Sequence, residues 1–176
     1  MDKLTEQRIM TMHPKLRVKT LQAYREANNV LGKGVRLRFS QVYRTAEEQD
    51  ALYAQGRTKP GKRVTNAKAW ESIHCYGMAM DIVLLYDKDG DGHFEEVSWD
   101  MRRDGDKDGI PDWIEVTRVL EKHGFRNGFI TNGKKWDFPH FQMDFGYNWR
   151  QLKAIVDSGK IIKEIINGKE YIYPII

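Results

Sequence analysis

The sequence is poor in the features that tie a chain to disulfides, bilayers or nucleic acid. Its 176 residues hold one cysteine, Cys75, so no internal disulfide forms and folding in a reducing compartment is the simplest expectation. A lone thiol also excludes a closed, cysteine-rich structural zinc site. No apolar run approaches the roughly 18 residues that span a bilayer, and Met1-Asp2-Lys3-Leu4-Thr5-Glu6-Gln7 lacks the apolar core of a signal peptide. The expectation is no membrane insertion and synthesis in the cytoplasm without a classical export signal. Basic runs interleaved with aromatics are missing as well, which argues against a nucleic-acid partner.

What is present is ordinary for a globular chain: 40% hydrophobic and 11% aromatic residues, enough for one domain with a sizeable core. The net charge of +4 favours anionic surroundings, such as an acidic wall polymer, without choosing among them.

Hydrophobic spacing predicts helices over residues 5–12 and 14–31, the second opened by Pro14 and stopped by Gly32 and Gly34. Val35 to Phe39 alternates as a strand. Thr45 and Glu48 form a capping-box pattern before a helix through Tyr53. Residues 57–66 read as an exposed loop. Asp81 to Tyr86 reads as a buried strand, 113–123 as a helix, and 140–145 as a strand with His140, Gln142 and Asp144 on one face. Asn167-Gly168 marks a hairpin within residues 161–173.

Chemistry concentrates in two stretches. Ser72-Ile73-His74-Cys75-Tyr76-Gly77-Met78-Ala79-Met80-Asp81 offers a histidine and an aspartate around a permissive glycine, and Trp136-Asp137-Phe138-Pro139-His140-Phe141 offers another of each. Taken singly, each has a structural reading, a satisfied core histidine or a turn-forming aspartate. Together, His74, Asp81 and His140 supply three ligands with a fourth position open, the pattern of a catalytic zinc site. Asp137 is left over; with Pro139 breaking strand regularity, it is expected in a loop above the metal, where it could take a proton from water. Cys75 reads as a small buried side chain, and His13, His93 and His123 as surface or capping residues.

These same stretches resemble the LAS metallopeptidases, which include D-alanyl-D-alanine carboxypeptidases and dipeptidases and the L-alanyl-D-glutamate endopeptidases of phage endolysins. The matching residues are Ser72, His74, Gly77, Ala79 and Asp81, followed by Trp136, Asp137, Pro139, His140 and Phe141. Upstream, Tyr43-Arg44-Thr45, Glu48-Gln49, Leu52-Tyr53, Gln55-Gly56-Arg57, Pro60-Gly61 and Val64-Thr65 are similar to the endolysin branch. The resemblance covers roughly residues 10–148. It implies zinc on His74, Asp81 and His140, Asp137 as the acid/base, Arg44 contacting substrate and polarising the scissile carbonyl, and Ser72 near the substrate. It also implies synthesis in a host cytoplasm and action on bacterial peptidoglycan in the periplasm after release by separate machinery.

An acidic insertion departs from that pattern. Asp104, Asp106, Asp108, Asp112 and Glu115 occupy positions 1, 3, 5, 9 and 12 of a calcium loop, with Gly109 at 6 and Ile110 offering its carbonyl at 7. Asp87, Asp89 and Asp91 begin a second loop the same way, but Ser98 stands at position 12. Following Asp81 in sequence, the insertion is expected to order the segment flanking the zinc and so make activity calcium-dependent.

The expected architecture is α+β, a small antiparallel sheet with flanking helices in the D-Ala-D-Ala carboxypeptidase-like zinc peptidase fold. Residues 1–148 would form the catalytic domain, with the insertion at about 87–115, and residues 149–176 a C-terminal helix and hairpin extension. The expected activity is cleavage of the L-alanyl-D-glutamate bond of peptidoglycan. The alternatives are a D-alanyl-D-alanine carboxypeptidase or dipeptidase, and a non-catalytic, calcium-dependent wall-binding protein. Oligomeric state is not legible.

Overall fold

A computed structural model describes residues 2–131 and 134–176, with backbone alone for 129–131 and 134–136. The first helix, α1 (Lys3–Met10), starts two residues before the sequence signal because the Asp2 side chain accepts from Thr5 N at 3.2 Å, an N-cap. The expected helix over 14–31 divides into a short 3-10 turn, Pro14–Leu16, and α2 (Arg17–Val30). Next come β1 (Val35–Gln41) and α3 (Ala46–Ala54), the latter opened by the Thr45–Glu48 capping box.

At the centre of the sheet lies β2 (Ala79–Tyr86), buried along its length except at partly exposed Asp81. It pairs antiparallel with β1, with the short β3 (Glu96–Ser98) and with β5 (Lys134–Gln142); β4 (Arg126–Thr131) closes the order β1-β2-β5-β4. No expectation covered β3, and the strand expected over 140–145 is the C-terminal end of β5, which stops at Gln142. Between β3 and β4 runs α4 (Asp112–Lys122). Its Trp113, Val116 and Leu120 are buried in a core shared with Tyr24, Ala27, Phe39, Leu84 and Phe141, where each large side chain contributes about 1.5–3 kcal/mol.

The C-terminal part is α5 (Trp149–Asp157) and the hairpin of β6 (Ile161–Ile166) and β7 (Lys169–Pro174). This hairpin packs against the rest of the chain. Tyr173 is fully buried, Arg17 pairs with Glu164, and His13 Nε2 lies 2.9 Å from the Pro174 carbonyl. His13 is therefore buried between the hairpin and Gly77, and of the two expected roles it takes the capping one, its Nδ1 accepting from Lys15 N at 3.3 Å.

Candidate metal centre and cleft

The sheet brings the two chemical stretches together. Asp81 on β2 is paired directly with His140 on β5, and a 3-10 turn, Ile73–Tyr76, carries His74 beside them. That turn ends at Gly77 with φ of 67°, a conformation that favours glycine. A Cβ there would also meet His13 N at 2.8 Å and the Tyr173 ring at 2.9 Å.

Three atoms face one another at nearly equal distances. His74 Nε2 lies 3.2 Å from His140 Nδ1 and 3.2 Å from Asp81 Oδ1, and His140 Nδ1 lies 3.1 Å from the same oxygen. Ligands on a tetrahedral zinc at about 2.0–2.1 Å stand roughly 3.3 Å apart, so this triangle fits zinc and leaves a fourth position open. The remaining ring nitrogens are engaged. His74 Nδ1 is 2.6 Å from the Val42 carbonyl, and His140 Nε2 is 2.9 Å from Gln142 Oε1. Each contact assigns the N–H to the outer nitrogen and leaves the inner lone pair for a metal. Behind Gln142 the line continues: its Nε2 donates to Asp144 Oδ2 at 2.5 Å, which also accepts from Arg126 at 2.7 Å. Burial pushes the Asp81 carboxyl up, but the His74 and His140 imidazoles outweigh that and hold it well below the usual carboxylate range.

Asp137 stands at the edge of this triad. Its position differs from the expected loop: it lies within β5, in a bulge, because the β4–β5 register jumps from Asn127↔Phe141 to Phe129↔Trp136. Its backbone φ is 57°, a left-handed conformation that aspartate and asparagine tolerate better than most residues. Loss of solvent within the cleft raises its carboxyl above the ordinary value, against the pull of His140, His74 and Arg44.

Arg44 approaches from the end of β1. Its backbone N donates to the His74 carbonyl at 3.2 Å, Nη1 donates to Gln49 Oε1 at 2.7 Å, and Nη2 is 3.5 Å from Asp81 Oδ2. Gln49 is fully buried and is itself anchored to the Ala67 carbonyl at 2.7 Å. Its role as the prop of Arg44, like the place of Gln142 behind His140, was not read from the sequence. Ser72 makes no cap bond with its side chain and lines the same cleft, a groove of about 1020 Å³ that also includes Arg63, Glu71, Tyr147 and Trp149.

The acidic insertion is elsewhere. Asp104, Asp106 and Asp108 converge, as do Asp106, Asp112 and Glu115, and Asp87, Asp89 and Asp91 form a separate cluster. The first loop follows Tyr86 at the end of β2 and the second rests on Tyr86 through Asp112 and Gly105, five residues and about 17 Å of strand from Asp81. The expectation that the insertion flanks the zinc in space is not met. Cys75 is buried and belongs to none of these clusters among the described residues. His123 ends α4 and pairs with Glu26, and His93 is exposed.

Over 111 residues, 63% of this chain, the sequence is 41% identical to the peptidoglycan L-alanyl-D-glutamate endopeptidase CwlK of Bacillus subtilis (strain 168). The chain is a relative of a peptidoglycan peptidase. It spans about three fifths of that relative, 62% of its length. The likeness agrees with the LAS resemblance carried by Ser72–Asp81 and Trp136–Phe141. A solved structure of the vancomycin-resistance D,D-dipeptidase VanXYg, in complex with a D-Ala-D-Ala phosphinate analogue, is similar over 94% of this chain and 73% of its own. Its TM-score is 0.47 and its identity 18%, a level that decides nothing about chemistry. Profiles of known protein families give no match.

Proposed function

We propose that this chain is a zinc-dependent peptidoglycan endopeptidase of the phage lysis type, cleaving the L-alanyl-D-glutamate bond of stem peptides. The observation that carries the reading is the triangle of His74 Nε2, Asp81 Oδ1 and His140 Nδ1, open toward a cleft that Asp137 and Arg44 share. The identity to a peptidase named for that bond supports the choice of substrate.

Zinc bound at the triad would acidify a water and polarise the scissile carbonyl. Asp137 accepts the proton of the attacking water and returns it to the leaving amine, a role suited by a carboxyl raised toward the working pH. Arg44 binds the oxygen that gains charge, with Gln49 fixing one arm of its guanidinium while Nε has no hydrogen-bond partner among the described residues. Ser72 orients the peptide along the cleft wall. Calcium belongs to the same reading: an ion on Asp104, Asp106, Asp108, the Ile110 carbonyl, Asp112 and Glu115, a second on Asp87, Asp89 and Asp91, and an activity that responds to calcium. The enzyme is made in a host cytoplasm and meets the wall after release.

Incubation of the zinc-loaded protein with purified peptidoglycan, followed by identification of the new amino terminus, tests the assignment. New D-glutamate amino termini are expected. Release of D-alanine or a D-alanyl dipeptide instead would move the protein to the carboxypeptidases, and no cleavage of any wall type would leave a calcium-dependent wall-binding protein.

A further inference from the structure

The two acidic loops share a conformation. In each, the first aspartate accepts from the backbone N of the sixth residue: Gly92 to Asp87 at 2.8 Å and Gly109 to Asp104 at 2.9 Å. The third accepts from the fifth, Asp91 to Asp89 and Asp108 to Asp106, both at 3.2 Å. The fifth accepts from the seventh, His93 to Asp91 and Ile110 to Asp108, both at 2.7 Å. Such turns form without an ion and do not establish a site.

What separates the loops is the twelfth position. The first has Ser98 there, and Asp89 and Asp91 are exposed. In the second, Glu115 comes from the first turn of α4 and the residue is only 8% exposed, yet among the described residues its Oε2 has no hydrogen-bond partner, and neither has the buried Asp104 Oδ1. A buried carboxylate oxygen without a partner costs several kcal/mol unless a cation or proton satisfies it. Ligand atoms of Asp106, Asp112 and Glu115 lie within 4.8 Å of one another, as do those of Asp104, Asp106 and Asp108. Oxygens bound to one calcium at 2.3–2.6 Å stand at most about 5 Å apart, so each trio has the spacing of a calcium shell, and Asp106, common to both, joins them. Burial first, and then the crowding of Asp108, Asp106, Asp112 and Asp104, pushes Glu115 up to about 7.

The loop's outward contacts define what an ion there would hold. The carboxylate of Asp112 accepts from Tyr86 Oη at 2.7 Å, and Tyr86 is the last residue of β2. Asp106 lies against Gly32 just past α2, where a Cβ would come within 2.5 Å of its Oδ2. Gly105 is wedged between Tyr86 and Val35, at 2.6 Å from each for a built Cβ. Glu115 belongs to the helix that places Trp113 in the core.

We propose that residues 104–115 hold one calcium ion that ties the start of α4 to the end of β2 and the turn after α2, at the end of the sheet remote from His74, Asp81 and His140. Calcium then governs the stability of the fold and reaches activity only through the fraction of protein that is folded. This deepens the calcium part of the proposed function and stands apart from the peptidase assignment.

The test uses the full zinc-loaded chain, dialysed free of calcium with zinc retained. Added calcium should bind with a measurable heat at one strong site and raise Tm by roughly 5–10 °C at about a hundredfold excess over Kd. Magnesium, which prefers a tighter octahedral shell, should do much less. Glu115→Gln should fold without calcium and lose the shift, and Asp108→Asn, altered at an exposed position, should weaken it. At a temperature where calcium-free protein is fully folded, wall cleavage should proceed at the same rate with and without calcium. No shift in Tm, a shift that survives Glu115→Gln, or a calcium-dependent rate in protein already folded would each overturn the proposal. Loss of peptidase activity altogether would leave the binding and stability measurements intact, so the two readings fail separately.

Discussion

Nε2 of His74 and Nδ1 of His140 lie 3.2 Å apart, with each ring's other nitrogen engaged by a different partner, the Val42 carbonyl for one and the Gln142 amide for the other. A backbone carbonyl cannot be mutated away, but the amide can. Gln142→Leu removes the acceptor that fixes the His140 tautomer and frees Asp144 to pair with Arg126 alone. We expect zinc affinity to fall about 10- to 100-fold, measured by competition with a chromogenic chelator, while Tm in saturating zinc changes little. Unchanged zinc affinity would show that the ring is held by strand geometry instead.

Asp137→Asn should separate metal binding from turnover. Asparagine tolerates the left-handed backbone at this position, so the bulge persists and the zinc content stays at one per chain. The hydrolysis rate should drop by about 10²–10⁴, the usual contribution of a positioned general base. Near-normal lysis of cell walls by this variant would exclude Asp137 as the proton acceptor.

Stability should depend on pH in a way that calcium abolishes. Glu115 is raised from 4.5 to about 7 by burial and by Asp108, Asp106, Asp112 and Asp104 around it. A raised carboxyl binds its proton more tightly in the folded state, so this contribution is complete below 4.5 and is lost as pH climbs through about 7. Calcium-free protein should therefore lose stability, on the order of 1–3 kcal/mol, between pH 4.5 and 7. Chemical denaturation at a series of pH values checks this, with Glu115→Gln expected to flatten the trend and calcium to abolish it.

The C-terminal hairpin should matter to catalysis through Tyr43. The Tyr43 hydroxyl lies 3.3 Å from both the carbonyl and the N–H of Ile172, and its ring packs edge-on against Tyr171 and Tyr173. Lys169 reaches Glu48, the residue that caps α3 at Thr45. The residues on either side of Arg44 are thus braced by one hairpin. Tyr43→Phe should cost about 1 kcal/mol of stability, and deletion of residues 161–176 should lower both Tm and the rate of wall cleavage. Full activity in the truncated chain would mark the hairpin as dispensable.

Much of this was legible from side-chain chemistry and spacing. His74, Asp81 and His140 are readable as a set from their residue types and spacing together with the family resemblance, and β2 contains the strand expected from Asp81 to Tyr86. Helix ends set by side-chain caps, such as Thr45–Glu48, were also readable, because both partners are three residues apart. The rest depends on contacts distant in sequence. Gln49 looks like any polar helix residue until Ala67 and Arg44 close around it. The position of Asp137 follows from a register jump between β4 and β5, which local propensity does not encode. The insertion misled for the same reason: adjacency to Asp81 in sequence became the opposite end of a strand in space.

That separation along β2 bears on how such a chain can change. A strand buried at nearly every position and paired on both sides holds its two ends at a fixed distance. Loops at the Tyr86 end can lengthen or shorten without displacing the residues at the Asp81 end. The cutting machinery at the other end need not be redesigned each time.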